Sequence, residues 1–448
     1  MRIKSADLTS EAAVLLEFAV TNFKSFANEQ TFSLIASNLT DGHQDRVAWV
    51  DGPQKLPVLT SAIIMGKNGS GKSSLVEAMR FVRSFVVNSA SDGQHGELID
   101  VKVHRLDTEF SSAPCSFRLL FSMGPVVYQY SFAVDSVRVL EERLEIADRT
   151  ARFRKLFDRV YVPKSESYDY SFGDSLRGDK ATWRSATRGN ALFLSTANQL
   201  NSEQLREPFV WFSTYLRGVD AASGSFGKYT SQHCEVENNR RNIMEFLRSL
   251  DIDVEDIRIE VEDISETLSQ ALSPTLLAQM VKSDPEFVKS RKVEFLHKGT
   301  GKGPVSLELS EESTGTRALF GLAGPIFDAL ANGYCLIVDE INTSLHPLIL
   351  HRLVEMFSNV SVNRKRAQLI FTSHDTSTLR DGYLRRDQIW FVDKSVDGKS
   401  VLVPLSDYSP RKGEALDRGY MHGRYGGIPF IGPIQPLMGA SSLWDPVS

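Results

Sequence analysis

The segment Gly66-Lys67-Asn68-Gly69-Ser70-Gly71-Lys72-Ser73-Ser74 has the residue types and spacing of a phosphate cradle. Its glycines permit a loop whose backbone N–H groups converge on phosphate oxygens. A helix starting behind it would turn its positive dipole end to the same anion. Lys72 would bind the β- and γ-phosphates of a nucleotide, and the Ser73 hydroxyl would bind Mg²⁺. Against a chance glycine-rich turn stands the context, with an apolar run, Ala62-Ile63-Ile64-Met65, before the loop. After it, Leu75, Val76, Met79, Phe81, Val82 and Phe85 fall at helical spacing.

Three further groups fit the same chemistry. Tyr334-Cys335-Leu336-Ile337-Val338 reads as a buried strand ending in Asp339-Glu340. There Asp339 would support Mg²⁺, and Glu340 would act as general base or water-orienting group. Leu309-Ser310-Glu311-Glu312-Ser313-Thr314-Gly315-Thr316-Arg317 starts a helix before that strand. Ser313 and Gly315 can offer a hydroxyl and a backbone N–H to a phosphate, although an ordinary N-cap explains a serine there equally well. Gln368-Leu369-Ile370-Phe371-Thr372-Ser373 is the next apolar strand and ends at His374, where a ring can reach a γ-phosphate. His43, His233 and His351 read as solvent-facing or structural. ATP and Mg²⁺ are the expected cofactors.

The elements that must position these residues follow from periodicity. Residues 14–36 read as strand, turn, strand, with the turn at Thr21-Asn22-Phe23-Lys24-Ser25-Phe26. From about 100 to 175 the chain is a strand meander with turns at Met123-Gly124-Pro125 and Val134-Asp135. Helical spacing takes over around 188–250, as in Glu207 to Leu216 and Ile243 to Leu250. Residues 255–308 carry strands at both ends and a helix between, and 310–403 alternate helix and strand. The tail after about 408 reads as loops packed on a core. The expected division is an N-terminal ATPase lobe over 1–185, a helical or mixed insert over 186–305, and a C-terminal ATPase lobe over 306–448.

The chain has 448 residues and a formal net charge of −5. No global basic field therefore recruits nucleic acid or an anionic membrane. Arg240-Arg241 lies close to Glu235 and Glu237 and reads as a solvated helix face; Asn363-Arg364-Lys365-Arg366 reads as a short basic loop. DNA binding stays open on this reading and finds no support in it. Cys115, Cys234 and Cys335 are far apart without paired metal spacing, which fits reduced thiols acting as small apolar residues. No signal-type N-terminus and no membrane-length apolar run are evident, so a cytoplasmic protein is expected.

The order of these motifs resembles the ABC ATPase superfamily: phosphate loop, signature, Mg²⁺ carboxylates, switch histidine. The resemblance implies an α/β head, a mixed β-sheet with flanking helices, here with an inserted β-meander and helical subdomain. It also implies that Ser313-Thr314-Gly315 is the signature contacting ATP on the opposite subunit, and hence a homodimer or larger assembly. Ser344-Leu345-His346-Pro347 looks like the D-loop. Asn22-Phe23-Lys24-Ser25-Phe26 is similar to the opening of chromosome-maintenance, recombination and repair ATPases of the SMC/RecF branch, though no long coiled coil fits in this chain. The sequence does not place the Q-loop glutamine; Gln129 sits inside a strand pattern and is a poor candidate. Nucleotide-binding residues carried over are Gly66, Asn68, Gly69, Ser70, Gly71, Lys72, Ser73, Ser74, Ser313 and Gly315. Metal is assigned to Ser73 and Asp339, and catalysis to Lys72, Glu340 and His374.

A narrower resemblance covers nearly the whole chain: compact bacterial AAA/ABC-type ATPases of phage-defence systems, of the RloA, abortive-infection L, PARIS and Septu kinds. It rests on Leu192-Phe193-Leu194-Ser195, Glu312 to Arg317, Asp339 to Pro347, Arg386-Asp387-Gln388-Ile389-Trp390-Phe391 and Gly423-Arg424-Tyr425-Gly426-Gly427-Ile428-Pro429. It implies a regulatory ATPase beside a separately encoded effector, a nuclease or toxin. A DNA repair or recombination ATPase acting directly on DNA is the alternative. A fused nuclease is disfavoured by the short stretch after His374, and a transporter ATPase by the insert and tail. Arg424 and Tyr425 read as packing the tail onto the head in preference to contacting a partner.

Overall fold

The computed structural model describes residues 12–39, 46–148, 150–220, 226–301, 303–342, 345–410 and 414–428. The chain opens with β1 (Ala13–Thr21) and β2 (Gln30–Ser33), an antiparallel pair. A small ribbon, β3 (Val47–Val50) and β4 (Leu56–Leu59), leads to β5 (Ser61–Met65) and α1 (Lys72–Asn88). After α2 (Thr108–Ser111) come the meander strands β6 (Cys115–Met123), β7 (Val126–Val134), β8 (Val139–Ala147), β9 (Arg154–Val162) and β10 (Ser167–Phe172). The two-residue turn between β6 and β7 needs a positive φ, which Gly124 supplies at 55°. With β1 and β2 these strands form a seven-stranded antiparallel sheet in the order β10-β9-β8-β7-β6-β1-β2.

Next come α3 (Lys180–Ala186), α4 (Phe193–Gln199) and α5 (Glu203–Val210). The helix expected to continue to Leu216 instead loosens into a π-helical turn at Trp211–Tyr215 and becomes β11 (Leu216–Asp220). Parallel pairing of β11 with a strand more than a hundred residues later decides this, and local periodicity cannot report it. The insert continues through α6 (Phe226–Cys234), α7 (Glu237–Ser249), β12 (Asp256–Asp263), α8 (Ser265–Ala271), α9 (Pro274–Ser283), β13 (Lys289–His297) and β14 (Val305–Glu308). The last stretch holds α10 (Thr314–Asn332), β15 (Cys335–Asp339), α11 (Pro347–Ser358), β16 (Gln368–Ser373), β17 (Ile389–Lys394), β18 (Ser400–Pro404) and α12 (Leu416–Met421). That final short helix lies where only loops were expected.

The second sheet is six-stranded, in the order β11-β15-β16-β5-β17-β18; all its pairs are parallel except β17–β18. Every residue of β5 and β16 is buried, as strands covered on both faces require. Ala62 and Ile64 share a core with Leu75, Val76, Met79 and Val82 of α1. Ile63 and Met65 join the core of α10 and α11 on the other face. Helix α1 is thus wedged between the two sheets, and Phe81 and Phe85 pack on Phe117 and Phe132 of the meander. The fold is α/β, with a mixed six-stranded β-sheet, a seven-stranded antiparallel one and flanking helices. Among the described residues, no helix is long and apolar enough to cross a membrane.

Two buried polar arrangements hold these layers in register. Glu142 of β8 is fully buried, accepting hydrogen bonds from Phe193 N at 2.6 Å, Leu194 N at 2.9 Å and the Tyr130 hydroxyl at 2.9 Å. Arg159, also 0% exposed, lies 3.5 Å from that carboxylate and donates to Ala191 O and Arg188 O. The Leu192-Phe193-Leu194-Ser195 motif is thereby bolted to the meander, while Ser195 Oγ donates to Val86 O near the end of α1. In α10, Pro325 cannot bond back to the Gly321 carbonyl. The Thr230 hydroxyl donates to that carbonyl at 2.9 Å instead and accepts from Gly324 N at 3.1 Å.

Candidate functional site

Strand β5 runs into the glycine-rich loop, and α1 begins at Lys72 with Gly71 as its N-cap. No side chain caps this helix, and no acidic residue occupies its first turn, so its leading N–H groups are left to an anion. Gly66 and Gly71 have no room for a side chain. A Cβ on Gly66 would stand 2.3 Å from Val392 O, and one on Gly71 2.5 Å from Ser400 Oγ and 2.7 Å from Ser25 Oγ. The Lys72 ammonium folds over the loop, donating to Gly66 O at 2.7 Å and to Lys67 O at 3.2 Å. Asn68 and Gly69 form the exposed tip, Ser70 is buried, and Ser73 and Ser74 are half-buried in the first turn of α1.

Parallel pairing brings the other motifs to the same edge. Met65 pairs with Ser373, and Val338 with Phe371, so β5, β15 and β16 end side by side. Asp339 ends β15 with Glu340 directly after it, and His374 follows β16. Burial pushes the Lys72 ammonium below its ordinary value, while the charges of Glu340 and Asp339 act in the opposite direction. The Thr372 hydroxyl donates to Asp339 Oδ1 at 2.6 Å and accepts from Glu340 N at 2.7 Å. Glu340 itself holds φ at 52°, the left-handed region that non-glycine residues seldom adopt. His374 is exposed, and Asn342 Nδ2 stands 3.3 Å from its Nε2, linking the loop after the acidic pair to the ring.

Several of these supports carry no signal strong enough to single them out in sequence. Thr372 is a polar residue in an apolar strand, which is at most a hint. Ser400 has none: its hydroxyl donates to Ser70 O at 2.5 Å, and its N–H donates to Ser25 O at 2.8 Å. The Asn22–Phe26 turn, read from the sequence as a turn without a role in the site's chemistry, is part of the cradle, with Ser25 Oγ 3.1 Å from Ser74 Oγ. Asn22 and Lys24 take φ of 53° and 50°, and Asn22 Nδ2 fixes the turn by donating to Phe110 O and Ala113 O.

Ser313 is exposed and caps α10, its Oγ accepting from Thr316 N at 3.1 Å; Gly315 is half-buried in the first turn. The N-cap explanation of this serine is therefore realised, and its side-chain bonds stay within its own helix. The preceding residue, Glu312, meets His297 Nε2 at 2.6 Å, while His297 Nδ1 lies 2.7 Å from Asp253 O. Both ring nitrogens face acceptors, which suits the imidazolium. Burial works against that charge, but the Glu312 and Asp253 oxygens outweigh it, and the ring's pKa stands above its ordinary value. A His raised on folding stabilises below its unfolded pKa, about 6.5. The contribution is lost as pH climbs through the folded value. The stability difference between the native and His297→Ala proteins is thus expected to be largest below about pH 6.5 and to fade as the solution turns alkaline. Thermal melts of both across that range check it, and a difference that grows with pH contradicts it.

Other residues read from the sequence lie apart from this edge. Gln129 belongs to β7 and donates to Glu145 at 3.2 Å across the meander. Arg241 pairs with Glu237 at 3.0 Å on an exposed face of α7, and Arg240 lies 3.6 Å from Asp256. Ser344 and Pro429 fall outside the described residues, as does His43. Tyr425 is fully buried, as expected of a packing residue, whereas Arg424 pairs with Glu414 at the surface. Among the described residues, no three His, Cys, Asp or Glu side chains cluster to hold a metal by themselves. One carboxylate and one hydroxyl beside phosphates suit Mg²⁺, which usually keeps several waters.

A family model described as "AAA domain, putative AbiEii toxin, Type IV TA system" matches residues 61–380. No curated protein matches the chain in sequence. Among solved structures, the SMC head domain of Thermotoga maritima is similar at 14% identity and a TM-score of 0.38, over 87% of this chain and 98% of that one. An SMC head bound to the C-terminal winged-helix domain of ScpA gives 14% identity and 0.40, over 87% and 96%. The recombination mediator RecF gives 13% identity and 0.35, over 88% and 99%. Likenesses at this distance leave activity and partners to the residues of the site.

Proposed function

Because the chain belongs to the family described as "AAA domain, putative AbiEii toxin, Type IV TA system", we propose that it binds ATP at the Gly66–Ser74 loop and hydrolyses it there. The observation that carries this reading is the shared carboxyl edge of β5, β15 and β16, where Asp339, Glu340 and His374 lie at or just past the strand ends and the loop after β5 brings Lys72 within reach of the Asp339 and Glu340 charges. Backbone N–H groups of the loop and of the uncapped α1 cradle the phosphates, with Gly66, Asn68, Gly69, Ser70, Gly71 and Ser74 shaping the cradle. Lys72 exchanges its two carbonyl partners for phosphate oxygens. Ser73 and Asp339 hold Mg²⁺, which when bound neutralises charge on the β- and γ-phosphates. Glu340 orients the attacking water and takes its proton, and His374 registers the γ-phosphate.

Ser313 and Gly315 of a second copy complete the site, so ATP joins two heads. The exposure of Ser313 at a helix start, with Gly315 half-buried in the first turn behind it, supports this role. ATP occupancy then regulates a separately encoded effector, a nuclease or toxin, in antiviral defence. That step rests on the motif resemblance to phage-defence ATPases and on the toxin-system wording of the family. The test is a titration of Mg–ATP into the native and Lys72→Ala proteins, with phosphate release followed in the same samples. The native protein should bind and hydrolyse, and Lys72→Ala should weaken binding by about tenfold to a hundredfold, the effect of losing one hydrogen bond to a charged group. Equal behaviour of the two would sink the site assignment.

A further inference from the structure

The Gly423–Ile428 segment is not absorbed by the chemistry above, yet it lies against the phosphate loop. A Cβ on Gly427 would stand 3.4 Å from the Gly66 Cα and 3.4 Å from Val392 O. Val392 O is also the atom that leaves Gly66 no space for a side chain, so one carbonyl lies between the two glycines, tight against Gly66 and in ordinary contact range of Gly427. A Cβ on Gly426 would meet Asp393 Oδ2 at 2.8 Å, and Asp393 Oδ1 lies 3.5 Å from Lys67 Nζ in the loop. Gly426 and Gly427 take φ of 69° and 70°, a conformation costly for any other residue.

The segment is held there from behind. Tyr425 is fully buried and stacks on Phe391, at 5.5 Å between centroids and 10° between planes. Tyr420 stacks on Phe391 as well, at 5.2 Å, and its hydroxyl donates to Gly427 O at 2.9 Å. Burial and the nearby Asp393 push that hydroxyl to about 12, so it keeps its proton and stays a donor. Tyr408 donates to Tyr425 O at 3.1 Å. Phe391 itself pairs with Met65, the last residue before the phosphate loop. The aromatic stack, the ends of β5 and β17, and the loop thus form one packed unit.

We propose that the Tyr420–Ile428 turn is a positioning element for ATP: by bracing Val392 and Asp393 against Gly66 and Lys67, it sets the loop geometry on which nucleotide affinity depends. The proposal rests on ATP binding at that loop. Coupling is reciprocal, so a turn that strengthens ATP binding must itself be stabilised by ATP.

The test uses the full chain. Amide hydrogen exchange over 416–428 is followed in the native and Lys72→Ala proteins with and without Mg–ATP. Affinity, KM and kcat are measured for native and Gly427→Ala. Bound ATP is expected to slow exchange of the turn in the native protein and not in Lys72→Ala. Gly427→Ala is expected to raise Kd and KM about tenfold, within the usual range of coupling between sites, with kcat nearly unchanged. A folded Gly427→Ala protein with native affinity overturns the proposal, as does exchange indifferent to ATP that is demonstrably bound. If Gly427→Ala does not fold, the exchange arm on the native sequence decides. If native protein binds no ATP at all, the proposed function falls together with this inference, and the titration alone reveals that case.

Discussion

The Glu340→Gln protein is expected to turn over ATP about 10²–10⁴-fold more slowly than the native chain, the usual contribution of a positioned general base, while still binding it. Glutamine keeps the size of the side chain and disturbs neither the Glu340 N–Thr372 bond nor the Asp339–Thr372 bond that fix this strand end. What it lacks is a carboxylate to take the proton of water. One of the two negative charges opposing the burial of Lys72 is also lost, which favours a phosphate as replacement partner. Phosphate release beside equilibrium binding separates the two effects. Unchanged turnover would remove Glu340 from the chemistry.

The second large effect concerns folding. Arg159→Ala is expected to destabilise the protein by about 3–5 kcal/mol, the range for breaking a buried pair and leaving one charge alone. Both partners are fully buried, so no solvent screens the stranded carboxylate. The loss reaches beyond one pair, because Arg159 also satisfies the carbonyls of Ala191 and Arg188 just before α4. Adding Glu142→Gln to Arg159→Ala should recover part of the loss, since the remaining side chain is then neutral. Urea titrations of native, single and double variants measure this. A single variant as stable as the native protein contradicts it.

Much of this architecture was legible in the sequence, and the exceptions share one cause. The β5 strand, α1 and the meander announce themselves through local patterning: continuous apolar runs, helical spacing, and alternation such as Phe117, Leu119 and Phe121. Strand β11 does not, because Arg217 and Gly218 interrupt any pattern, and only pairing with β15 makes it a strand. Gly218 is needed where Arg80 packs, a Cβ there lying 3.1 Å from that side chain. The same holds at the site. Lys72, Asp339, Glu340 and His374 can be named from motif types, but Thr372, Asn342 and Ser400 act through contacts across strands or across the chain. Ser400 reaches a loop 330 residues away, and no local window contains that information.

The composite site is the central claim about how this protein uses ATP. The mass of the Glu340→Gln protein, measured by light scattering with and without Mg–ATP, tests it directly. A dimer or larger assembly is expected to form only with ATP, because slowed hydrolysis traps two heads around the nucleotide. A mass that never responds, in protein shown to bind ATP, would contradict it. The nucleotide would then not gate head association, and if that mass is a monomer's, the roles given to Ser313 and Gly315 would be wrong.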